Sequence, residues 1–270
     1  MQIIRQGVLA VAVASLVACS WLAPLDSAAM QGADAGLKRA LLSFATARAL
    51  NAVISVAQGT EVSLQPAGMG VILSPGQVLD PVNDLVEQFS HLMLAASVAF
   101  GVQKVLIGIG GYWLLSLLLS TAALAWAWFH FRQQAAPAWP GRLLVIVLML
   151  RFAVPAVTIG SELLFEKFLA ADYSISQQVI TATPAEVAKL EAPLPQAAAD
   201  PGLIDRIRGW WSQDVDLQAR FDALQQAAEE AIEHIVTLIV IFLLQTVVIP
   251  FLLLAALYGS ACSAFDLPRR

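Results

Sequence analysis

The sequence predicts an all-α integral membrane protein with three to four transmembrane helices, a small periplasmic α+β-hairpin region and a long C-terminal helix that continues into the membrane. Three observations predict it. Hydrophobic residues make up 59% of the chain, charged residues 13%, and the mean hydropathy is +0.73, whereas a soluble domain is about 45–50% apolar and about 25% charged. The apolar residues fall in blocks of the length that crossing a bilayer requires, roughly 20 residues each. Residues 212–258 carry Leu217, Phe221, Leu224, Ala228, Ala231, Ile235, Leu238, Phe242, Gln245, Ile249, Leu252 and Ala256 at alternating spacings of four and three, a heptad seam on one helix.

The same composition excludes several function classes. The net charge is −5, so no basic stripe exists to neutralise phosphates, and nucleic acid is not an expected partner. Cys19 and Cys262 lie near opposite chain ends, and His91, His130 and His234 share no ligand spacing. Neither set builds a metal framework, and no cofactor is expected. There is no phosphate-binding glycine loop before a Lys-Ser/Thr pair, no His-Glu-x-x-His and no Gly-x-Ser-x-Gly, so the chain is not read as an enzyme.

In chain order, residues 1–29 read as a signal peptide or an N-terminal anchor. Arg5 precedes an apolar run from Gly7 to Ala23, ended by Pro24. Three readings compete: a retained anchor, a signal cleaved near Ser27-Ala28-Ala29, and a lipoprotein signal with Cys19 acylated after Leu16-Val17-Ala18. Residues 30–110 read as a periplasmic region. It holds an amphipathic helix over 36–58, with Lys38, Arg39 and Arg48 facing headgroups or its own domain. A β-hairpin over 60–76 turns at Pro66 to Gly70, and a helix starts at Asp80-Pro81. Residues 111–165 read as a transmembrane hairpin. Aromatic residues, Tyr112 and Trp113 against Trp126, Trp128, Phe129 and Phe131, mark both ends of its first span. Residues 166–230 read as a periplasmic loop, Pro-Ala-rich around 193–201, with a surface segment over 203–211 and a projecting helix. Residues 231–270 form the last span and a cytoplasmic tail.

Basic residues in short segments set the orientation. With the N-terminus inside, Arg5, the Arg132/Arg142 loop and the Arg269/Arg270 tail are all cytoplasmic. Were residues 89–107 a further full crossing, the loop and the tail would both lie outside. Residues 81–107 are therefore read as an outer-face interfacial or re-entrant helix, with Gly108, Gly110 and Gly111 joining it to the next span. The expected location is a bacterial inner membrane, multi-pass, with the larger loops periplasmic.

Arg151 is the sharpest functional candidate, because a charge in mid-span usually faces a bundle interior. Pro155 frees a backbone carbonyl one turn away that the guanidinium can bond. Gln245 lies at comparable depth and is its expected partner, and Glu162 shares its helix face. The structural reading, a buried Arg tying helices together, outweighs an ion or proton site, because a relay needs a chain of charges. Glu229, Glu230, Glu233 and His234 cluster where the last span enters the membrane. They read either as an acidic pore mouth in an oligomer or, more simply, as a solvated helix face.

These readings converge on a non-enzymatic structural or assembly subunit of an envelope complex, docking through its heptad seam. The first alternative is a homo-oligomeric ion channel or mechanosensitive-type pore. The second is a membrane enzyme acting on lipid at the outer face. The expected partners are the lipid bilayer and either further copies of the chain or other envelope proteins.

Overall fold

The computed structural model describes residues 2–58, 62–64, 71–73, 76–131, 139–190, 226–227 and 229–264. They form seven helical stretches: α1 (Gln2–Leu22), α2 (Pro24–Gln58), α3 (Gly76–Gly110), α4 (Trp113–Phe131), α5 (Trp139–Leu164), α6 (Ala170–Leu190) and α7 (229–264). A π-turn, Phe165–Leu169, joins α5 to α6, and a second, Leu244–Val248, interrupts α7.

The expected α+β-hairpin region is overturned. The described chain is almost entirely helical, and two 35-residue helices, α2 and α3, occupy its place. Between them, two three-residue stretches, Val62–Leu64 and Val71–Leu73, pair antiparallel. Residues 65–70, which would close a hairpin, lie outside the described residues, and three paired residues make no independent β layer. Alanine explains much of α2. Residues 28, 29, 33, 35, 40, 45, 47, 49 and 52 are all Ala, the strongest helix former.

One further expectation is corrected, the loop over 166–190, and two others gain detail. Pro24 ends the apolar run, since α1 stops at Leu22, and also starts α2, where its fixed φ suits the first helical position. Only Ala23, at φ 50°, separates α1 from α2, and the chain bends there by 61°. Residues 166–190 are helix, although they read as loop, with Pro184 inside. Residues 81–107 belong to an unbroken helix, of which Asp80–Gly110 is long and apolar enough to cross a membrane. The Pro-Ala-rich loop, the 203–211 segment and the heptad positions 217, 221, 224 and 228 lie outside the described residues.

Trp139–Pro184 and Glu229–Ala261 are likewise long and apolar enough to cross, and the bent α1–α2 pair adds a fourth candidate. Large apolar side chains such as Val105, Leu124, Ile146 and Phe251 are exposed along these helices. The chain is a multi-pass membrane protein.

Two compact units divide the chain: residues 1–39, 96–169 and 243–270 form one, and residues 40–95 and 170–242 form the other. In the first unit, α5 serves as a ruler. Beside it, Phe129 stacks edge-on to Trp139, and Trp126 lies against Gly141. Further along, Gly110 lies against the Arg151 carbonyl, and Ile107 packs with Val154 and Ile159. Hence α3 and α4 run in the same sense, antiparallel to α5, broken at Gly111-Tyr112. The bent pair α1–α2 runs the other way. Val13 packs with Leu144 and Val147, Asp26 meets Arg151, and Gly32 meets Thr158 and Glu162. The end of α7 is antiparallel to α5, with Leu253 at Gly160. The start of α1, the end of α4, the start of α5 and the end of α7 therefore share one end of this unit.

Candidate functional site

Proline chemistry prepares the first buried site. Pro24 has no N–H, so the Ser20 carbonyl four residues before it loses its helical donor. Arg151 supplies one: its Nη2 donates to Ser20 O at 3.2 Å, and Ser116 Oγ donates to the same carbonyl at 3.1 Å. Arg151 Nε donates to Ser20 Oγ at 3.1 Å, and Ser20 Oγ donates to Ser116 Oγ at 2.8 Å. The two terminal nitrogens grip Asp26 bidentately, Nη1 to Oδ1 and Nη2 to Oδ2, both at 2.7 Å. Asp26 stands in the first turn of α2, where the helix dipole favours an acid. The guanidinium thus fills the break between α1 and α2, at the level where α3 gives way to α4. A Cβ on Gly111 would sit 3.0 Å from Asp26 Oδ2, so the chain passes this carboxylate closely because that residue is glycine. The Arg151 side chain is 1% exposed and that of Asp26 17%.

Arg151 therefore does face the bundle interior, but its partners are not the expected ones. Asp26 takes the place of Gln245, and the carbonyl it bonds is freed by Pro24 rather than Pro155.

A second ion pair lies eleven residues along α5, about 16 Å at 1.5 Å per residue. Arg39 donates through Nη1 and Nη2 to Glu162 Oε1 and Oε2 at 2.8 and 2.5 Å, and its guanidinium lies 3.9 Å from the centroid of the Phe165 ring. Gln245 Nε2 donates to Glu162 Oε2 at 3.3 Å. Both π-turns take part, since Phe165 opens one and Gln245 lies in the other. Such turns are frequent at functional sites. The second one precedes Pro250, which cannot extend an α-helical ladder, and Ile249 N–H bonds Leu244 O instead. A third pair, Lys104 to Asp34 at 2.5 Å, is more exposed.

All three pairs end on α2, which carries Asp26, Asp34 and Arg39. Its packing face is small. Ala29, Ala33 and Ala40 are fully buried, and a Cβ on Gly36 would overlap the Phe100 ring. Close backbone approach of this kind is the usual use of small residues at four-residue spacing in membrane helices.

The second unit brings together a polar set that was not anticipated. Ser43 Oγ donates to Gln177 Oε1 at 2.7 Å, and Gln177 Nε2 donates to Thr46 Oγ1 at 3.0 Å. His234 Nδ1 lies 3.1 Å from Ser176 Oγ. Glu229, Glu230 and Glu233 are exposed and His234 is half-buried. Of the described seam residues, Ala231, Ile235, Leu238, Phe242 and Gln245 are buried inside the chain, Ile249 is half-buried, and Leu252 and Ala256 are exposed. No three His, Cys, Asp or Glu side chains come together as a metal site among the described residues.

Asp26, Arg39, Ser20 and Ser116 were missed as site residues. Asp26 lies inside the segment that reads as a signal peptide or an anchor, and Arg39 on the helix that reads as facing headgroups or its own domain, and neither reading names a partner. The available signal was Gly32-x-x-x-Gly36-x-x-x-Ala40, a packing face around which those charges cluster. Comparison with known protein families, with curated proteins and with solved structures finds no match to the chain.

Proposed function

We propose that the chain is a non-enzymatic structural or assembly subunit of a bacterial envelope complex, seated in the inner membrane. One observation carries this reading: the deepest charge, Arg151, closes on groups of its own chain and ties α1, α2, α4 and α5 together. A relay or a pore needs a polar group open to a path. Here the carboxylates of Asp26 and Glu162 each hold a guanidinium bidentately. The pore reading also loses its lining, because Arg151 and Gln245 are buried against their own chain and a neighbouring copy would meet apolar side chains instead. Part of the heptad seam, Ala231 to Gln245, is used internally, so docking falls to its exposed end at Leu252 and Ala256 and to surfaces such as Glu229, Glu230 and Glu233.

Native mass spectrometry of the protein, extracted in mild detergent from its own host, tests the proposal. A stable complex with different proteins is the expected result. A closed ring of identical copies that conducts ions after reconstitution overturns it.

A second reading has one specific observation behind it. Two helix breaks meet at Arg151, and interrupted helices near the midplane mark ion and substrate sites in transporters. Under this reading Asp26 is the exchanging group. Reconstituted vesicles would then show proton or cation uptake that Asp26→Asn abolishes.

A further inference from the structure

We infer that the Arg39–Glu162–Gln245 group is a binding site for an internal water molecule. Gln245 is 1% exposed, and its Oε1 has no hydrogen-bond partner among the described residues. Its amide cannot turn round to relieve this, because the carbonyl oxygen would then face the Glu162 carboxylate that Nε2 now serves. Arg39 Nε, on the guanidinium that grips the same carboxylate, is also buried without a partner among the described residues. The group thus presents one orphan acceptor and one orphan donor around a single carboxylate.

The chemistry of the orphans selects the ligand. Arg39 and Glu162 already balance each other, so an ion of either sign would leave a net charge buried at high cost. A neutral molecule that both donates and accepts suits an orphan acceptor and an orphan donor alike, and buried waters serve groups of this kind. The Arg151 guanidinium differs: its Nε and both terminal nitrogens are bonded to Ser20 and Asp26. The Arg151 guanidinium therefore offers no orphan nitrogen to a water, and the Arg39 guanidinium does.

Hydroxyl-radical labelling by X-ray radiolysis, on the full chain in lipid nanodiscs, tests this with two internal probes. Phe165 lies under Arg39 and Phe152 beside Arg151, and both rings are buried. Radicals from bulk solvent reach such buried rings slowly, and Phe152, at 7% exposure against 4% for Phe165, is the more open of the two, whereas a bound water produces them in place. Phe165 is expected to oxidise several-fold faster than Phe152 in the unmodified protein, which needs no variant to fold. Gln245→Met, which removes the acceptor at similar volume, should bring the two rates together. Equal rates in the unmodified protein overturn the proposal. So does a fast Phe165 rate that Gln245→Met leaves unchanged.

Discussion

Removing the Arg151 guanidinium leaves Asp26 a largely buried carboxylate without its cation and reopens the Ser20 carbonyl that Pro24 cannot serve. Arg151→Met is therefore expected to destabilise the protein by about 3–5 kcal/mol, the usual penalty for stranding one half of a buried pair. Replacing both halves, as in Arg151→Met with Asp26→Leu, should recover most of that loss, because two apolar side chains strand no charge. Tryptophan fluorescence during denaturation in detergent micelles measures both variants. If the single variant costs less than about 1 kcal/mol, as an exposed pair would, Arg151 does not hold these helices together. The Arg39–Glu162 pair, 16% exposed on both sides, should respond less sharply, since partial solvent access screens it.

At the scale of elements, α2 is the hub, and its small face should tolerate little. Gly36→Leu would drive a side chain into the buried Phe100 ring, and overpacking of this kind costs about 1–3 kcal/mol. Gly101 on α3 meets nothing within 4 Å where its Cβ would stand, so Gly101→Ala should be neutral or stabilising by up to about 1 kcal/mol. Equal losses in the two variants, compared by thermal melting, would count against close packing at Gly36. The same element bears on the N-terminus. Cleavage near Ala28 would remove both Ser20 and Asp26 from Arg151, and cleavage before Cys19 would remove Val13, Leu16 and Val17 from the cluster they form with Leu119 and Leu144. The intact mass of the protein purified from membranes should therefore include residues 1–29. A shorter species as the main product would mean that Arg151 is satisfied differently. Much of this was legible in local terms. The apolar blocks and the interior-facing Arg follow from residue chemistry, whereas the carbonyl that the guanidinium bonds is the one freed by Pro24 and not the one expected at Pro155. What local chemistry does not encode is pairing across more than a hundred residues. Gln245 was a reasonable partner by depth, whereas Asp26 is one only because α1 and α2 bend together beside α5. Residues 166–190 are helix because Pro184 is their one proline and the others, Pro193, Pro195 and Pro201, lie beyond the end of α6.

For the whole molecule, the shared direction of α3 and α4 bears on the orientation that the charges predict. Two full crossings over 81–131 would carry the Arg132/Arg142 loop and the Arg269/Arg270 tail to the side opposite Arg5. A single passage of the membrane over these two helices is what the basic-residue rule expects, since it keeps all three on one side. The glycines were legible as a break. Its consequence was not, since a break between two apolar runs reverses the chain or continues it with equal ease, and only packing along α5 decides. The orientation expected from the basic residues puts the 132–138 segment on the cytoplasmic side and the 191–225 segment on the other. In a background carrying Cys19→Ser and Cys262→Ser, a cysteine at Gln134 should be blocked only by reagents that enter the cell, and a cysteine at Ala197 by impermeant ones as well. Labelling of both positions from outside would mean that α3 and α4 cross separately, and the continuous antiparallel run along α5 would then not describe the protein in its membrane.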